Sequence, residues 1–96
     1  MAYDPGAIDA ALSAAVGDEP DLVVELRHAF IDGATRAVQA MRAAADDREW
    51  RAGATRLRGL AASFGAVRLM ALAMKAVEGD RDPALLGKLE RAVARL

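Results

Sequence analysis

The feature that most restricts the fold is the stretch 22–45, whose apolar residues recur with the period of an α-helix. At about 100° per residue, its apolar and small residues fall on one side and its polar residues on the other. The predicted buried side consists of Leu22, Leu26, Ala29, Phe30, Gly33, Ala37, Ala40 and Ala44. The predicted exposed side consists of Glu25, His28, Asp32, Gln39 and Asp46. A helix with one apolar side is stabilised mainly by packing against other helices, so this stretch predicts a helical bundle.

The next predicted helix has a recognisable signal at each end. Asp46 and Glu49 have the spacing of a capping box, in which two side chains satisfy the free backbone N–H groups at a helix start. The helix should continue to about Phe64, because Gly65 is a residue type that commonly ends helices. The sequence therefore predicts a helix over 46–64.

Two further helices are predicted after this one, and one short helix before the long stretch. Residues 66–78 form a segment rich in Leu and Met, and Pro83 starts a last helix after the loop 79–82. A short helix is predicted over 7–16, ending at Gly17. Short connections place consecutive long helices antiparallel, and no segment has the alternation typical of a strand. The predicted fold is all-α, an antiparallel four-helix bundle with the short first helix as a cap.

The composition agrees with this fold and disfavours two classes of function, nucleic-acid binding and membrane insertion. The 96 residues include no cysteine and are 54% apolar, which suits a single domain over 1–96 with a core formed without disulfides. The 13 basic residues nearly balance the 14 acidic ones, unlike the strongly basic composition of most nucleic-acid-binding proteins. No apolar run approaches the roughly 20 residues that span a bilayer, and the N-terminus lacks a signal-peptide pattern. We therefore expect a cytoplasmic protein that binds neither nucleic acid nor membranes.

The helix predicted over 46–64 has two contrasting sides. The predicted buried side, with Gly53 at its edge, consists of Trp50, Ala54, Leu57, Leu60, Ala61 and Phe64. The opposite side carries Arg51, Thr55, Arg58, Gly59 and Ala62. An exposed glycine inside a helix costs about 1 kcal/mol relative to alanine. Gly59 therefore indicates either a partner that approaches the helix closely or a cost that the fold tolerates.

The sequence TRLRGLAASFGA, which begins at Thr55, resembles the signature of histidine-containing phosphotransfer (HPt) domains. That signature consists of His, any residue, Leu, Lys, Gly, then small residues, an apolar residue and Gly. The matching positions are Leu57, Arg58, Gly59 and Gly65. The resemblance extends to flanking positions at Ile8, Asp9, Leu12, Pro20, Asp21, Leu22, Phe30, Asp47, Trp50, Leu69 and Leu72. It implies an HPt-type bundle with Thr55 in place of the phosphorylated histidine.

This resemblance implies a role in bacterial two-component phosphorelay signal transduction. In the family, the histidine accepts a phosphoryl group from the aspartate of a receiver domain and passes it to another receiver. Imidazole suits this transfer because its pKa is about 6.5 and its bond to phosphorus is labile. A threonine hydroxyl is a weak nucleophile without an adjacent base, and none is found one turn away at Arg51, Ala52, Arg58 or Gly59. We therefore expect no enzymatic activity and no phosphotransfer at Thr55.

The positions around Thr55 nevertheless keep the shape and charge of a docking surface. Small residues leave space beside Thr55, and two arginines supply positive charge for an acidic receiver pocket. The expected function is that of a pseudo-phosphotransfer adaptor that docks a response-regulator receiver domain or a hybrid histidine kinase. The expected partner-binding residues are Arg51, Thr55, Arg58, Gly59 and Ala62.

Several alternatives stay open. His28, the only histidine, could serve as an unconventional phosphoacceptor, although it lacks the small neighbours that surround Thr55. The chain could instead be a purely structural helical module. Lys88, Arg91 and Arg95 form a basic edge that is either solvated surface or a contact for an acidic partner or a second copy. No cofactor or metal site is predicted, because helix capping already accounts for the acidic residues at 46–49.

Overall fold

The computed structural model describes residues 19–96, and within this range the backbone forms four α-helices and no strand. The helices are α1 (Pro20–Arg42), α2 (Asp47–Phe64), α3 (Val67–Glu78) and α4 (Pro83–Ala94). The predicted all-helical fold is thus confirmed for these residues. The short helix predicted over 7–16 lies outside the described residues. None of the four helices combines the length and the apolar character needed to cross a bilayer.

The helices pack as an up-and-down bundle. Helix α1 packs against α2, α2 against α3, α3 against α4, and α4 against α1, so the four helices form a closed ring. Gly33 lies against Leu60 and Gly53 lies against Met41, so residue numbers rise along α1 as they fall along α2. The two helices are therefore antiparallel, as the short connection between them predicted.

The core lies between the four helices and is built from large side chains set among alanines. Trp50 is only 2% exposed, and its indole N–H donates a hydrogen bond of 3.0 Å to the backbone carbonyl of Ala76 in α3. Phe30 of α1 stacks on Phe64 of α2 with the ring centroids 4.7 Å apart. Among residues 19–96, eight of the 17 buried apolar residues are alanine, which lets the helix backbones approach each other closely. The predicted burial of Trp50 is confirmed.

Local interactions define both ends of α2. Asp46 Oδ1 accepts a hydrogen bond of 2.8 Å from the backbone N–H of Glu49, and the Glu49 carboxylate accepts one of 2.8 Å from the N–H of Ala45. Gly65 ends the helix with a φ of 72°, a left-handed conformation that favours glycine. At the start of α4, the Asp82 side chain accepts from two backbone N–H groups of the first turn. Both helix ends predicted for α2 are confirmed, and so is the Asp46 half of the capping box, whereas the Glu49 carboxylate binds the N–H of Ala45 and not that of Asp46.

The buried side of α1 differs from the predicted one. Ala29 and Ala40 are exposed, and the helix ends at Arg42, before the predicted end at 45. The buried residues that the helical projection misses are Ala34, Val38 and Met41. The physical reason is that α1 contacts α2 on one side and α4 on the other, so its buried surface is centred between two neighbours. The predicted exposure of Glu25, His28 and Asp32 is confirmed.

Candidate functional site

The outward side of α2 carries the five residues predicted to bind a partner. Thr55 and Gly59 are exposed between Arg51 and Ala62, which are also exposed, while Arg58 is half-buried. At about 1.5 Å per residue, they extend along roughly 16 Å of the helix. We call these five residues the α2 strip. The structure thus brings all five predicted residues onto one continuous surface.

Gly59 lies one turn after Thr55 in the α2 strip and has open space beside it. A Cβ atom built on Gly59 would meet no neighbouring atom within 4 Å. By contrast, a Cβ on Gly53 would lie 2.7 Å from Met41 Cγ and 3.2 Å from the backbone oxygen of Ala37. Packing of α1 against α2 therefore explains Gly53. No contact within the described part of the chain explains Gly59.

Two arginines flank Thr55 along the α2 strip. Arg51 lies one turn before Thr55, and Arg58 lies about one turn after it. Neither guanidinium group forms an ion pair or hydrogen bond with any other residue in the range 19–96. Guanidinium groups bind carboxylates and phosphates through paired, charge-assisted hydrogen bonds. The α2 strip can therefore bind an anionic group beside Thr55.

The Thr55 hydroxyl is exposed and has no activating group. It forms no hydrogen bond with another described residue, whereas the hydroxyl of Thr35 in α1 donates to the backbone oxygen of Ile31 at 2.8 Å. A hydroxyl without a neighbouring base remains a weak nucleophile at neutral pH. The geometry therefore offers this oxygen as a surface group and provides no means to activate it.

The structure does not bring His28 to the α2 strip. His28 is exposed on α1, and the antiparallel contact of Gly33 with Leu60 places it level with the C-terminal end of α2. It therefore lies beyond Ala62, at a distance from Thr55 along the bundle axis. In the described part of the chain, the Asp, Glu and His side chains form no cluster of three or more that could hold a metal ion.

A second charged surface was only partly visible in the sequence. Lys88 and Arg91 of α4, and Arg95 directly after this helix, line a groove together with Arg68 and Lys75 of α3. The sequence indicated the first three as a basic edge but did not connect them with the two on α3. The seven-residue spacing of Arg68 and Lys75, about two helical turns, places both on one side of α3 and could have indicated this.

No known protein family, curated protein or solved structure matches the chain. The interpretation of the α2 strip therefore depends on its own geometry and on the residues that resemble the HPt signature. The resemblance remains a prediction, and so does the partner-binding role of the strip. What the strip provides chemically is a small-residue surface with an exposed hydroxyl and two arginines that have no anionic partner among residues 19–96.

Proposed function

We propose that the protein is an HPt-like adaptor of a bacterial two-component phosphorelay that docks a receiver domain or a hybrid histidine kinase on the α2 strip. It would occupy this surface without accepting phosphate. The observation that carries the proposal is the open space around Gly59. A glycine at this helical position lowers helix stability by about 1 kcal/mol relative to alanine and has no packing role within the described chain. A partner whose backbone lies against the helix supplies a reason for it.

The charges of the α2 strip support an acidic partner surface. Arg58 stands where the HPt signature has lysine, and Arg51 adds a second cation on the same side of the helix. By resemblance to the family, the docked surface would surround the phosphoacceptor aspartate of a receiver. Arginine forms bidentate hydrogen bonds with carboxylate or phosphate, so both residues suit such a surface.

Thr55 supports docking without transfer. A phosphoryl group on its hydroxyl would be a stable ester, so it could not be passed on as it is from imidazole. The exposed hydroxyl has no base to activate it. Such a protein would compete with complete phosphotransfer proteins for the same receiver or kinase surface.

The test is a titration of the purified protein against receiver domains from the same cell, measured by calorimetry. We expect one receiver to bind, and we expect Gly59→Arg to weaken its affinity about tenfold or more, because the new side chain fills the space beside Thr55. The matched control is Ala84→Arg, which adds the same side chain at an exposed position of α4. The control should bind as tightly as the natural protein.

The same samples test transfer from receivers loaded with labelled phosphate. We expect no label on the natural protein. Label that disappears in His28→Ala would contradict the adaptor and show that His28 is the acceptor. A folded protein that binds no receiver would contradict docking and favour the purely structural module.

A further inference from the structure

A groove between α3 and α4 concentrates positively charged side chains, although the chain as a whole has no net positive charge. Its volume is about 430 Å³, and five of its eight lining residues are basic while none is acidic. The five are Arg68, Lys75, Lys88, Arg91 and Arg95. We call the groove that these five residues line the basic groove. Since the formal net charge of the chain is −1, this concentration reflects the placement of charges in the fold and not the composition.

The five cations form two facing rows. Arg68 and Lys75 are seven residues apart on α3. Lys88 of α4 and Arg95, the residue that caps the end of α4, are also seven residues apart, so each pair spans about 10 Å. A four-residue loop joins the two helices, which therefore run antiparallel and bring Lys75 towards Lys88 and Arg68 towards Arg95. Arg91 lies partway along the second row. The result is an elongated site suited to a ligand with several spaced negative charges.

Most of this charge is not neutralised within residues 19–96. Lys75, Lys88, Arg91 and Arg95 form no ion pair with a carboxylate of this range. The acidic residue of α4, Glu90, instead accepts hydrogen bonds from Arg42 of α1 on another side of the helix. Like charges held close together repel each other, and a bound anion would relieve that repulsion.

Gly87 supports the arrangement of Arg91. It lies inside α4, where glycine lowers helix stability relative to alanine. A Cβ atom at this position would lie 3.3 Å from Nη1 of Arg91, within reach of the guanidinium group. The glycine thus leaves space that the guanidinium group occupies, and Arg91 lies along the helix surface within the groove.

We propose that the basic groove binds an acidic segment of a partner protein, with carboxylates repeated along about 10 Å. A protein segment fits better than nucleic acid, because no aromatic residue lines the groove to stack on a base. The groove floor of Ala71, Leu72 and Ala92 offers apolar contact for the aliphatic part of glutamate side chains.

The basic groove is separate from the α2 strip and can be tested independently. The backbones of α4 and α2 do not pack directly against each other, and Lys88 and Arg95 are exposed, so substitutions at these two positions leave the strip in place. The probe is a fluorescein-labelled peptide of alternating glutamate and alanine, whose binding is followed by fluorescence anisotropy at low salt. We expect binding that weakens steeply as the salt concentration rises, since the contacts are between exposed charges.

The decisive variant is Lys88→Glu combined with Arg95→Glu, which should weaken peptide binding about tenfold or more. Its matched control is Arg48→Glu combined with Arg56→Glu, which changes the net charge equally on exposed positions of α2 and should bind as the natural protein does. Circular dichroism verifies folding, and Lys88→Gln with Arg95→Gln replaces the reversed pair if that pair does not fold.

Three results would overturn the proposal. One is the absence of peptide binding to the natural protein, and another is an equal loss in both charge-reversed variants. The third is tighter binding of a labelled oligothymidylate, or of phosphatidylserine vesicles, than of the peptide. Because Gly59→Arg should leave peptide binding unchanged, failure of receiver docking and failure of this inference can be told apart.

Discussion

The two sides of α2 show two different reasons for a glycine in a helix. On the buried side, Gly53 is in contact with Met41 and the backbone of Ala37, so any side chain there would push α1 away. On the exposed side, a Cβ atom added at Gly59 would meet no neighbouring atom within 4 Å. Both lower the intrinsic stability of the helix. Only for Gly53 is the cost offset by packing within the described chain, so Gly59 is the position where a cause outside the chain should be sought.

Among variants that test this difference between the two sides of α2, we expect the largest effect on stability on the buried side, at Leu57. Its side chain is fully buried, and we expect Leu57→Ala to lower the free energy of unfolding by about 2 to 5 kcal/mol through lost apolar contacts and a cavity. Urea unfolding followed by circular dichroism measures this. Thr55→Ala, two residues away on the exposed side, is the control and should change it by less than about 0.5 kcal/mol. Equal effects of the two variants would contradict the assignment of the sides.

At Gly53 the expected effect on stability is smaller, and its cause is a specific steric overlap. A methyl group there would lie 2.7 Å from Met41 Cγ and 3.2 Å from the backbone oxygen of Ala37. We expect Gly53→Ala to lower the free energy of unfolding by about 1 to 3 kcal/mol, because overpacking outweighs the gain in helix propensity. The same urea experiment measures it. A stabilised variant would show that α1 and α2 can separate slightly at no cost.

Gly59→Ala should act in the opposite direction. With open space around the position, only the backbone effect remains, and we expect the free energy of unfolding to rise by about 0.5 to 1 kcal/mol. Urea unfolding of Gly53→Ala and Gly59→Ala side by side compares the same chemical change on the two sides of one helix. A loss of stability in Gly59→Ala would mean that the glycine has a packing role within the chain, so that it would no longer indicate a partner.

The parts of the fold that depend on neighbouring residues could be predicted from the sequence. The capping residues Asp46 and Glu49 start α2, Gly65 ends it, and Pro83 starts α4, because each acts on backbone groups a few positions away. The buried side of α2 was also predictable, since a helix with one clear apolar side has one way to face a core.

The parts that depend on the packing of distant segments were not predicted. Val38 and Met41 are buried because α1 lies between two other helices, which a projection of α1 alone does not contain. Likewise, Arg68 and Lys75 join the cations of α4 only once α3 and α4 pair. The exposure of Thr55 and Gly59 was predicted, but the empty space beside Gly59 became visible only from the positions of surrounding atoms.

The smallest expected effect on stability is that of Thr55→His, which should change the free energy of unfolding by less than about 0.5 kcal/mol, because the site is exposed and threonine and histidine have similar helix propensities. Its functional effect should nevertheless be qualitative. If the α2 strip is a docking surface that lacks only an acceptor, the new imidazole should take label from a phosphorylated receiver.

The same assay on Thr55→His with Gly59→Arg is the control for docking, because the arginine should block transfer while the imidazole remains. Label in both variants would show that transfer does not depend on the space beside Gly59. If Thr55→His binds the receiver but takes no label, the docked complex does not place the imidazole correctly to attack the phosphoryl group. The protein would then lack other features of a phosphotransfer-competent HPt domain besides the histidine. Label in Thr55→His alone would locate the difference from a complete phosphotransfer domain in a single side chain.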